Sequence, residues 1–374
     1  MEVMVGSDLR VTCSRDELVA KLGVVARAVS TRASVQILSG ILLSADDGRL
    51  NLAATDMELS LRCSLEAQVE GEGAVVVPGR LLLDIARLLP ESDVVVERRA
   101  NDGLVEIACG PATYRLNTYN AEDFPRLPDV SAAPAHSVDR AALLTTISRV
   151  ARSASRDESR PVLTGILVRF ERSRIVAAAT DSYRLSVKET EVDSDLPELE
   201  AIVPARALGE VARIGQGGSE PLEVAIHENQ VLFGIDGVWL TTRRIDGQFP
   251  NYKQLRPETF EHELTLPRSE LLDVIRRTAV MTQRNSPLRL RFADGELSVS
   301  ARTQDVGEAS ESMPIAFAGE PLEIGFNAEF LREGLESVDS DDVQLKLISP
   351  LRPGLISADA DEFWYLIMPI RLPG

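Results

Sequence analysis

The 374-residue sequence contains little cysteine, histidine or aromatic side chain. It has three cysteines, three histidines and 5% aromatic residues. Scattered cysteines in this number exclude a disulfide-stabilised scaffold and a tetrahedral cysteine–zinc site. The histidines share no metal-ligand spacing, and no Ser/His/Asp nucleophile arrangement can be built from them. We therefore expect no metal and no cofactor.

A long hydrophobic run is also missing. No stretch approaches 18 consecutive apolar residues, and the opening MEVMVGSDLR lacks the apolar core of a signal peptide. The chain is nevertheless 44% hydrophobic and only 26% charged, so it can bury substantial cores. These features predict a soluble, reduced, cytoplasmic protein.

Positive charge is in deficit. Lys and Arg number 40 against 58 Asp and Glu, which gives a formal net charge of −18. Such a surface repels nucleic acid and anionic membranes on average, although an average can conceal a local basic patch.

The sequence contains internal repeats. The tripeptide Ala-Thr-Asp at residues 54–56 returns 125 residues later at 179–181. Three further landmarks recur in the same order at nearly the same offset: Gly-Ile-Leu at 40–42 and 165–167, Phe-Pro at 124–125 and 249–250, and a Val-Pro-x-Arg segment at 76–80 and 202–206. A fainter third copy includes residues 266–269 and 325–331. A period this long indicates three tandem domains, which we place at 1–128, 129–254 and 255–374.

Each copy has the same order of predicted elements. An amphipathic helix comes first, short alternating strands joined by Asp-Gly turns follow, and then come a second helix and more hairpins. Each copy is thus an α+β unit of two helices and about eight antiparallel strands. Asp56 and Asp181 each follow a predicted strand at the same place in two copies, which favours turn capping over catalysis.

The basic residues concentrate on the predicted helices. Residues 15–32, 139–160 and 268–284 each carry a net charge of +2, residues 79–89 and 205–213 each carry +1, and residues 327–338 carry −2. Solvated amphipathic helices alone could explain arginine-rich faces. Five of the six helices instead carry net positive charge, which favours a basic surface within an otherwise acidic protein. Such a surface attracts phosphates.

Three segments resemble the bacterial DNA sliding clamps, the beta subunits of the replicative DNA polymerase III holoenzyme. They are Ala-Thr-Asp-Ser-Tyr-Arg-Leu at 179–185, Ile-Asp-Gly-Gln-Phe-Pro-Asn-Tyr at 245–252 and Tyr-Leu-Ile-Met-Pro-Ile-Arg-Leu at 365–372. The resemblance covers the whole chain. It implies three copies of the DNA-clamp fold and a head-to-tail homodimer that closes as a six-domain ring around double-stranded DNA without sequence preference. It also implies a processivity factor with no catalytic activity of its own.

The family holds partner peptides in a pocket between its second and third domains. Extended peptides use a few apolar anchors, and methionine adapts to several partners. The resemblance transfers the pocket to Leu163, Thr180, Ser182, Tyr183, Arg184, Leu185, Pro250, Leu255, Pro350, Leu366, Met368, Pro369, Ile370 and Arg371. Ser182 and Tyr183 stand where the family often has Gly-His, and two residues follow Leu372. The expected partners are the polymerase catalytic subunit, the clamp loader, and other polymerases, ligase and mismatch-repair proteins with clamp-binding motifs.

The resemblance also implies contacts with DNA and with a second subunit. The DNA-contacting positions are Arg32, Arg80, Arg156, Arg160 and Arg206, the last being the repeat equivalent of Arg80. The dimer positions are Val280 and Met281.

Two other classes of function compete with the clamp. One is an enzyme with a carboxylate-lined cleft between repeated domains, and the other is a peptide-binding scaffold that never meets DNA. The basic helices disfavour both, and the absence of a Gly-x-x-x-x-Gly-Lys-Ser/Thr loop excludes an ATP-driven clamp loader.

Overall fold

The computed structural model describes residues 8–30, 35–99, 103–128, 134–227, 229–283, 286–303, 307–358 and 361–372. The chain forms two compact units. The first consists of residues 1–140 and 213–244, and the second of residues 141–212 and 245–374. The central sequence repeat therefore contributes residues to both units.

All six predicted helices are present, and several end earlier than the sequence pattern indicated. The first, for example, continues only as a short 3-10 turn at Ala26–Ala28. A one-turn helix that the pattern did not predict precedes the second Gly-Ile-Leu segment. The helices are α1 (Arg15–Val25), α2 (Gly79–Leu88), α3 (Arg140–Val150), α4 (Pro161–Thr164), α5 (Ala205–Ile214), α6 (Arg268–Ala279) and α7 (Ala328–Glu336).

The first unit contains two antiparallel sheets. Their strands are β1 (Leu9–Ser14), β2 (Gly40–Asp46), β3 (Arg49–Thr55), β4 (Leu59–Glu66), β5 (Gln68–Gly71), β6 (Gly73–Pro78), β7 (Asp93–Arg98), β8 (Leu104–Cys109), β9 (Ala112–Asn117), β10 (His136–Val138), β13 (Leu222–His227), β14 (Gln230–Ile235) and β15 (Val238–Arg243). One sheet has the order β5-β1-β7-β8-β9 and the other the order β10-β13-β14-β15-β4-β3-β2-β6.

The second unit also contains two antiparallel sheets. Their strands are β11 (Gly165–Thr180), β12 (Arg184–Pro204), β16 (His262–Pro267), β17 (Leu288–Ala293), β18 (Glu296–Thr303), β19 (Gly307–Pro314), β20 (Leu322–Phe326), β21 (Asp342–Leu347), β22 (Gly354–Ala358) and β23 (Asp361–Ile367). The orders are β11-β12-β23-β22-β21-β16 and β19-β18-β17-β20.

Two sheets continue across repeat boundaries. Strand β4 of the first repeat pairs with β15 of the second, and β12 of the second repeat pairs with β23 of the third. This pairing satisfies backbone groups that a sheet edge would leave open, so consecutive repeats share a continuous hydrogen-bonded layer.

The predicted Asp-Gly hairpin turns are confirmed where the structure describes both residues. Both members of the pairs at 47–48, 236–237 and 294–295 have φ between 45° and 79°. That left-handed conformation matches the twist of a tight hairpin. The pair at 102–103 lies partly outside the described residues.

The three cysteines are free and buried. Burial, with a smaller contribution from Asp93, raises the pKa of Cys13 to about 12, and burial raises that of Cys63 to about 11. Among the described residues no cluster of three His, Cys, Asp or Glu side chains suits a metal ion. No helix in the described ranges has the length and apolarity needed to span a membrane.

We expect these thiols to resist modification in the folded protein. Burial holds the pKa of Cys63 well above pH 8, so little of the reactive thiolate forms in the folded protein. Ellman's reagent should therefore react slowly with native protein and rapidly with all three thiols in urea. Fast stoichiometric labelling of native protein at pH 8 would contradict the buried placement.

Candidate functional site

The turn between β11 and β12 is a tightly hydrogen-bonded loop. Asp181 Oδ1 accepts hydrogen bonds from the backbone N–H groups of Tyr183 and Arg184, at 2.9 and 3.0 Å. The Thr180 hydroxyl donates to the Arg184 carbonyl at 2.6 Å. Ser182 adopts φ 80°, which these bonds hold in place. The predicted turn-capping role of Asp181 is confirmed, and Asp56 caps the equivalent turn in the first repeat in the same way.

Arg184 points beneath this turn. Its guanidinium donates to Asp181 Oδ2 at 3.0 Å, and also to the Glu333 carboxylate and to the Arg152 carbonyl. It stacks over the Phe330 ring with 4.2 Å to the centroid. Burial opposes its charge, but Tyr365 and Glu333 outweigh that effect and raise its pKa above the ordinary value. The side chain is only 8% exposed. Arg184 therefore supports the turn, because its guanidinium is occupied by the chain itself.

The C-terminal segment lies beside the turn through β-pairing. Leu185 pairs with Leu366 across β12 and β23. Just past the paired region, the Met368 N–H donates to the Tyr183 carbonyl at 2.8 Å. The Ile370 N–H then donates to the Gly325 carbonyl at 2.7 Å. Two segments far apart in sequence thus lie side by side.

An apolar cluster lies below these segments. Leu185 and Leu366 are buried in it together with Phe249, Tyr252 and Trp364. Tyr252 packs edge-on to Phe249 and lies tilted against Trp364, with 6.4 Å between ring centroids in each pair. These three rings are not among the site residues that the sequence predicts. The Phe-Pro pair at 249–250, which repeats the pair at 124–125, and Tyr252 just after it are the signal that could have pointed to two of them.

Exposed apolar side chains lie two or three residues along the chain from members of this cluster. Tyr183 is 62% exposed, Leu255 53% and Met368 45%. Single exposed apolar residues are common, but several on neighbouring segments above an aromatic cluster are typical of a binding surface.

The other predicted pocket residues lie in a helix, in two loops and in the C-terminal segment. Leu163 lies buried in α4, Pro250 is exposed after Phe249, and Pro350 is exposed between β21 and β22. Pro369 and Arg371 follow β23, where Pro369 is half-buried and Arg371 is exposed.

Arg160 contacts the same turn. Its guanidinium donates to the Ser182 hydroxyl at 2.9 Å and forms an ion pair with Asp157 at 3.3 Å. Hydrogen bonds from Ser159, followed by the bond from Arg160, lower the pKa of the Asp157 carboxyl. The Asp157 carboxylate is therefore ionised, and its ion pair helps to hold Arg160 against Ser182.

The remaining predicted DNA contacts lie at helix starts or in loops. Arg80 is exposed in the first turn of α2, Arg206 in the first turn of α5, and Arg156 in the loop that follows α3. Arg32 lies outside the described residues.

Ion pairs neutralise part of the positive charge on the helices of the second unit. Arg276 approaches Glu336 at 2.9 Å, and Arg152 pairs with the same carboxylate. Burial works to raise the pKa of Glu336, but hydrogen bonds from these two arginines outweigh it and leave the pKa low. Arg149 pairs with Asp339 at 2.6 Å. The net charge counted over α3 and α6 therefore overstates the free positive charge there.

The two predicted dimer residues differ in exposure. Val280 is 78% exposed at the end of α6. Met281 packs against the core of the third repeat, and its carbonyl accepts a hydrogen bond from Thr303 at 2.5 Å. Only Val280 thus offers a fully accessible apolar side chain for a subunit contact.

Comparisons with known proteins agree on one family. The three domains of the DNA polymerase III beta subunit match in order: the N-terminal domain at residues 9–128, the central domain at 137–251 and the C-terminal domain at 253–371. The beta sliding clamp of Synechococcus elongatus is 36% identical over 97% of this chain and 100% of its own length.

Solved structures give the same result. The DNA polymerase sliding clamp of Bacillus subtilis superimposes with a TM-score of 0.92 at 27% identity, over 98% of this chain and 100% of that one. A sliding clamp of Pseudomonas aeruginosa bound to griselimycin gives a TM-score of 0.90 at 25% identity, over 97% of this chain and 100% of that one.

Proposed function

Because the chain belongs to the bacterial beta sliding clamp family, and is therefore a three-domain DNA sliding clamp, we propose that its second unit captures partner proteins at the turn Thr180–Arg184. The observation that carries the proposal is the exposed apolar set Tyr183, Leu255 and Met368 above the buried cluster of Phe249, Tyr252 and Trp364. The occupant is a short extended peptide with one or two large apolar residues.

Rigid positioning supports this proposal. The turn is fixed by Asp181 and Thr180, and the C-terminal segment is tied to it by the bond from Met368 to Tyr183. A preorganised surface loses little conformational entropy on binding, so a few anchors can supply most of the affinity. We assign Arg160 to the edge of this surface because it contacts Ser182.

We further propose that two copies close head-to-tail into a ring around double-stranded DNA. Head-to-tail contacts close when the rotation between copies permits, and two three-domain chains meet that condition. The proposed phosphate contacts are Arg32, Arg80, Arg156, Arg160 and Arg206. Tandem domains at 1–128, 129–254 and 255–374 would then form the six segments of the ring.

The proposed role is to tether the polymerase catalytic subunit and other DNA-processing proteins without catalysis by the clamp itself. Clamp loader, other polymerases, ligase and mismatch-repair proteins would compete for the one pocket in each chain. The expected location is the cytoplasm, where the chromosome is copied.

Met368→Ala is expected to weaken binding of the polymerase's C-terminal peptide by about 1–3 kcal/mol, because it removes a half-exposed apolar anchor. The measurement is a fluorescence titration of the labelled peptide against each variant. Leu185→Ala is a poorer test, since Leu185 is buried and its truncation would also open a cavity.

Leu104→Ala provides the matched control. Leu104 is 41% exposed in β8, so it has similar exposure but lies in the other unit. Unchanged peptide affinity in Met368→Ala, or an equal loss in both variants, would remove the pocket assignment.

Val280→Asp is expected to shift the dimer toward folded monomer. A charge placed at a buried apolar contact lacks compensation, and its desolvation opposes association. Light scattering at sub-micromolar concentration measures the shift, with circular dichroism to verify the fold. Leu351→Asp, at a residue 63% exposed, is the control. A Val280→Asp protein that stays fully dimeric would place the interface elsewhere.

A further inference from the structure

A second cleft lies in the first unit, at the position that repeats the proposed peptide pocket. It is formed by the turn after β3, the end of β15 and the segment that follows the first Phe-Pro pair. Its volume is about 70 Å³, enough for one small side chain.

The backbone of this cleft reproduces that of the pocket. The Thr55 hydroxyl donates to the Leu59 carbonyl at 3.1 Å, as Thr180 does to Arg184. Met57 has φ 79° and Ser182 has φ 80°. The Arg243 N–H donates to the Glu58 carbonyl at 3.4 Å, the counterpart of the bond between Met368 and Tyr183. The two sites therefore share one scaffold.

The side chains on that scaffold differ in chemistry. Arg243 stands where the pocket has Met368, and Arg126 follows the Pro125 that corresponds to Pro250. Both arginines are exposed. Among the residues that the structure describes, neither guanidinium has an ion-pair or hydrogen-bond partner. Glu58 is the one carboxylate among the residues that line the cleft, so the two unpaired arginines leave it with a net positive charge. In a chain of net charge −18, such a cleft favours an acidic ligand.

A buried acceptor adds a second requirement. Gln230 lines the cleft, and its side-chain Oε1 is buried without a hydrogen-bond partner. Leaving such an oxygen unsatisfied costs free energy, so a ligand that supplies an N–H is favoured. A peptide backbone provides N–H groups along its length, whereas a phosphodiester backbone provides none. Met57 and Leu127 give the same cleft an apolar wall.

We propose that this cleft binds a short acidic peptide segment of a partner protein, with a small apolar side chain in the cavity and carboxylates on Arg126 and Arg243. The clamp would then hold partners at two repeat-related sites per chain, one apolar and one selective for acidic sequence. The proposal concerns the first unit and stands apart from the pocket in the second.

Methionine methyl NMR on the full-length protein tests this directly. Of the six methionines, Met57 reports on the cleft and Met368 on the pocket, with Met57→Leu to assign the signal. The probes are the capped peptide Asp-Val-Asp-Val, its Lys-Val-Lys-Val counterpart and a short oligothymidylate. We expect the acidic peptide alone to shift the Met57 signal saturably.

The double variant Arg126→Ser/Arg243→Ser should raise the dissociation constant measured at Met57 by about fivefold or more. Arg49→Ser/Arg115→Ser removes the same charge from exposed strand positions in the same unit and should leave it unchanged. An unmoved Met57 signal, equal shifts with both peptides, a shift by oligothymidylate, or equal losses in both double variants would overturn the proposal. The polymerase peptide should shift the Met368 signal but not the Met57 signal. That titration distinguishes a failure of the cleft proposal from a failure of the pocket proposal.

Discussion

Clamp loaded onto a nicked plasmid circle should stay on that circle through gel filtration and be lost, by about tenfold or more, once the plasmid is linearised. Enclosure needs no base contacts, so retention depends on whether the DNA has an end, and phosphate charge contributes mainly to loading. The measurement is the amount of labelled clamp that co-elutes with each form of DNA after loading by its own clamp loader.

Charge reversal at Arg80 separates loading from retention. Arg80→Glu should reduce the amount loaded and make loading less dependent on salt, because one phosphate contact is lost, without creating any sequence preference. Arg115→Glu makes the same charge change at an exposed strand position and serves as the control. Equal retention on circular and linear DNA would contradict the ring, whatever the effect of Arg80.

Arg184→Ala should destabilise the second unit by about 3–5 kcal/mol, because it leaves Asp181 and Glu333 without the charge that compensates them. Both carboxylates are largely buried, so water cannot fully replace the guanidinium. Arg184→Lys should recover only part of the lost stability. A single ammonium lacks the forked geometry with which the guanidinium reaches both carboxylates and the Arg152 carbonyl.

Urea unfolding followed by tryptophan fluorescence measures this effect. The chain has two tryptophans, Trp239 in the first unit and Trp364 in the second, so a Trp239→Phe background makes the signal specific to the second unit. Arg174→Ala is the matched control, because its pair with Glu189 at 2.5 Å is exposed on the same sheet and should contribute less than about 1 kcal/mol. If Arg184→Ala lowers the free energy of unfolding no more than Arg174→Ala does, the buried network is not needed for stability.

Local patterns were sufficient for much of the fold. Amphipathic spacing predicted the six longer helices, and the Asp-Gly pairs predicted the hairpins, because each depends on residues close together in sequence. Asp181 could be assigned to turn capping since the groups it binds lie two and three residues away. The repeated phrases, which recur only when whole domains recur, gave the three-domain architecture.

Tertiary structure alone decided which side chains of the proposed site are exposed and which are buried. Arg184 and Tyr183 are neighbours in one phrase, yet Arg184 turns inward to Glu333, 149 residues away, while Tyr183 is left exposed. The contact between Arg160 and Ser182 and the packing of Trp364 on Tyr252 likewise join distant segments. Sequence determined the local conformations because neighbouring residues set them. The orientation of each site residue depended on packing and ion pairs between segments that only the folded chain brings together.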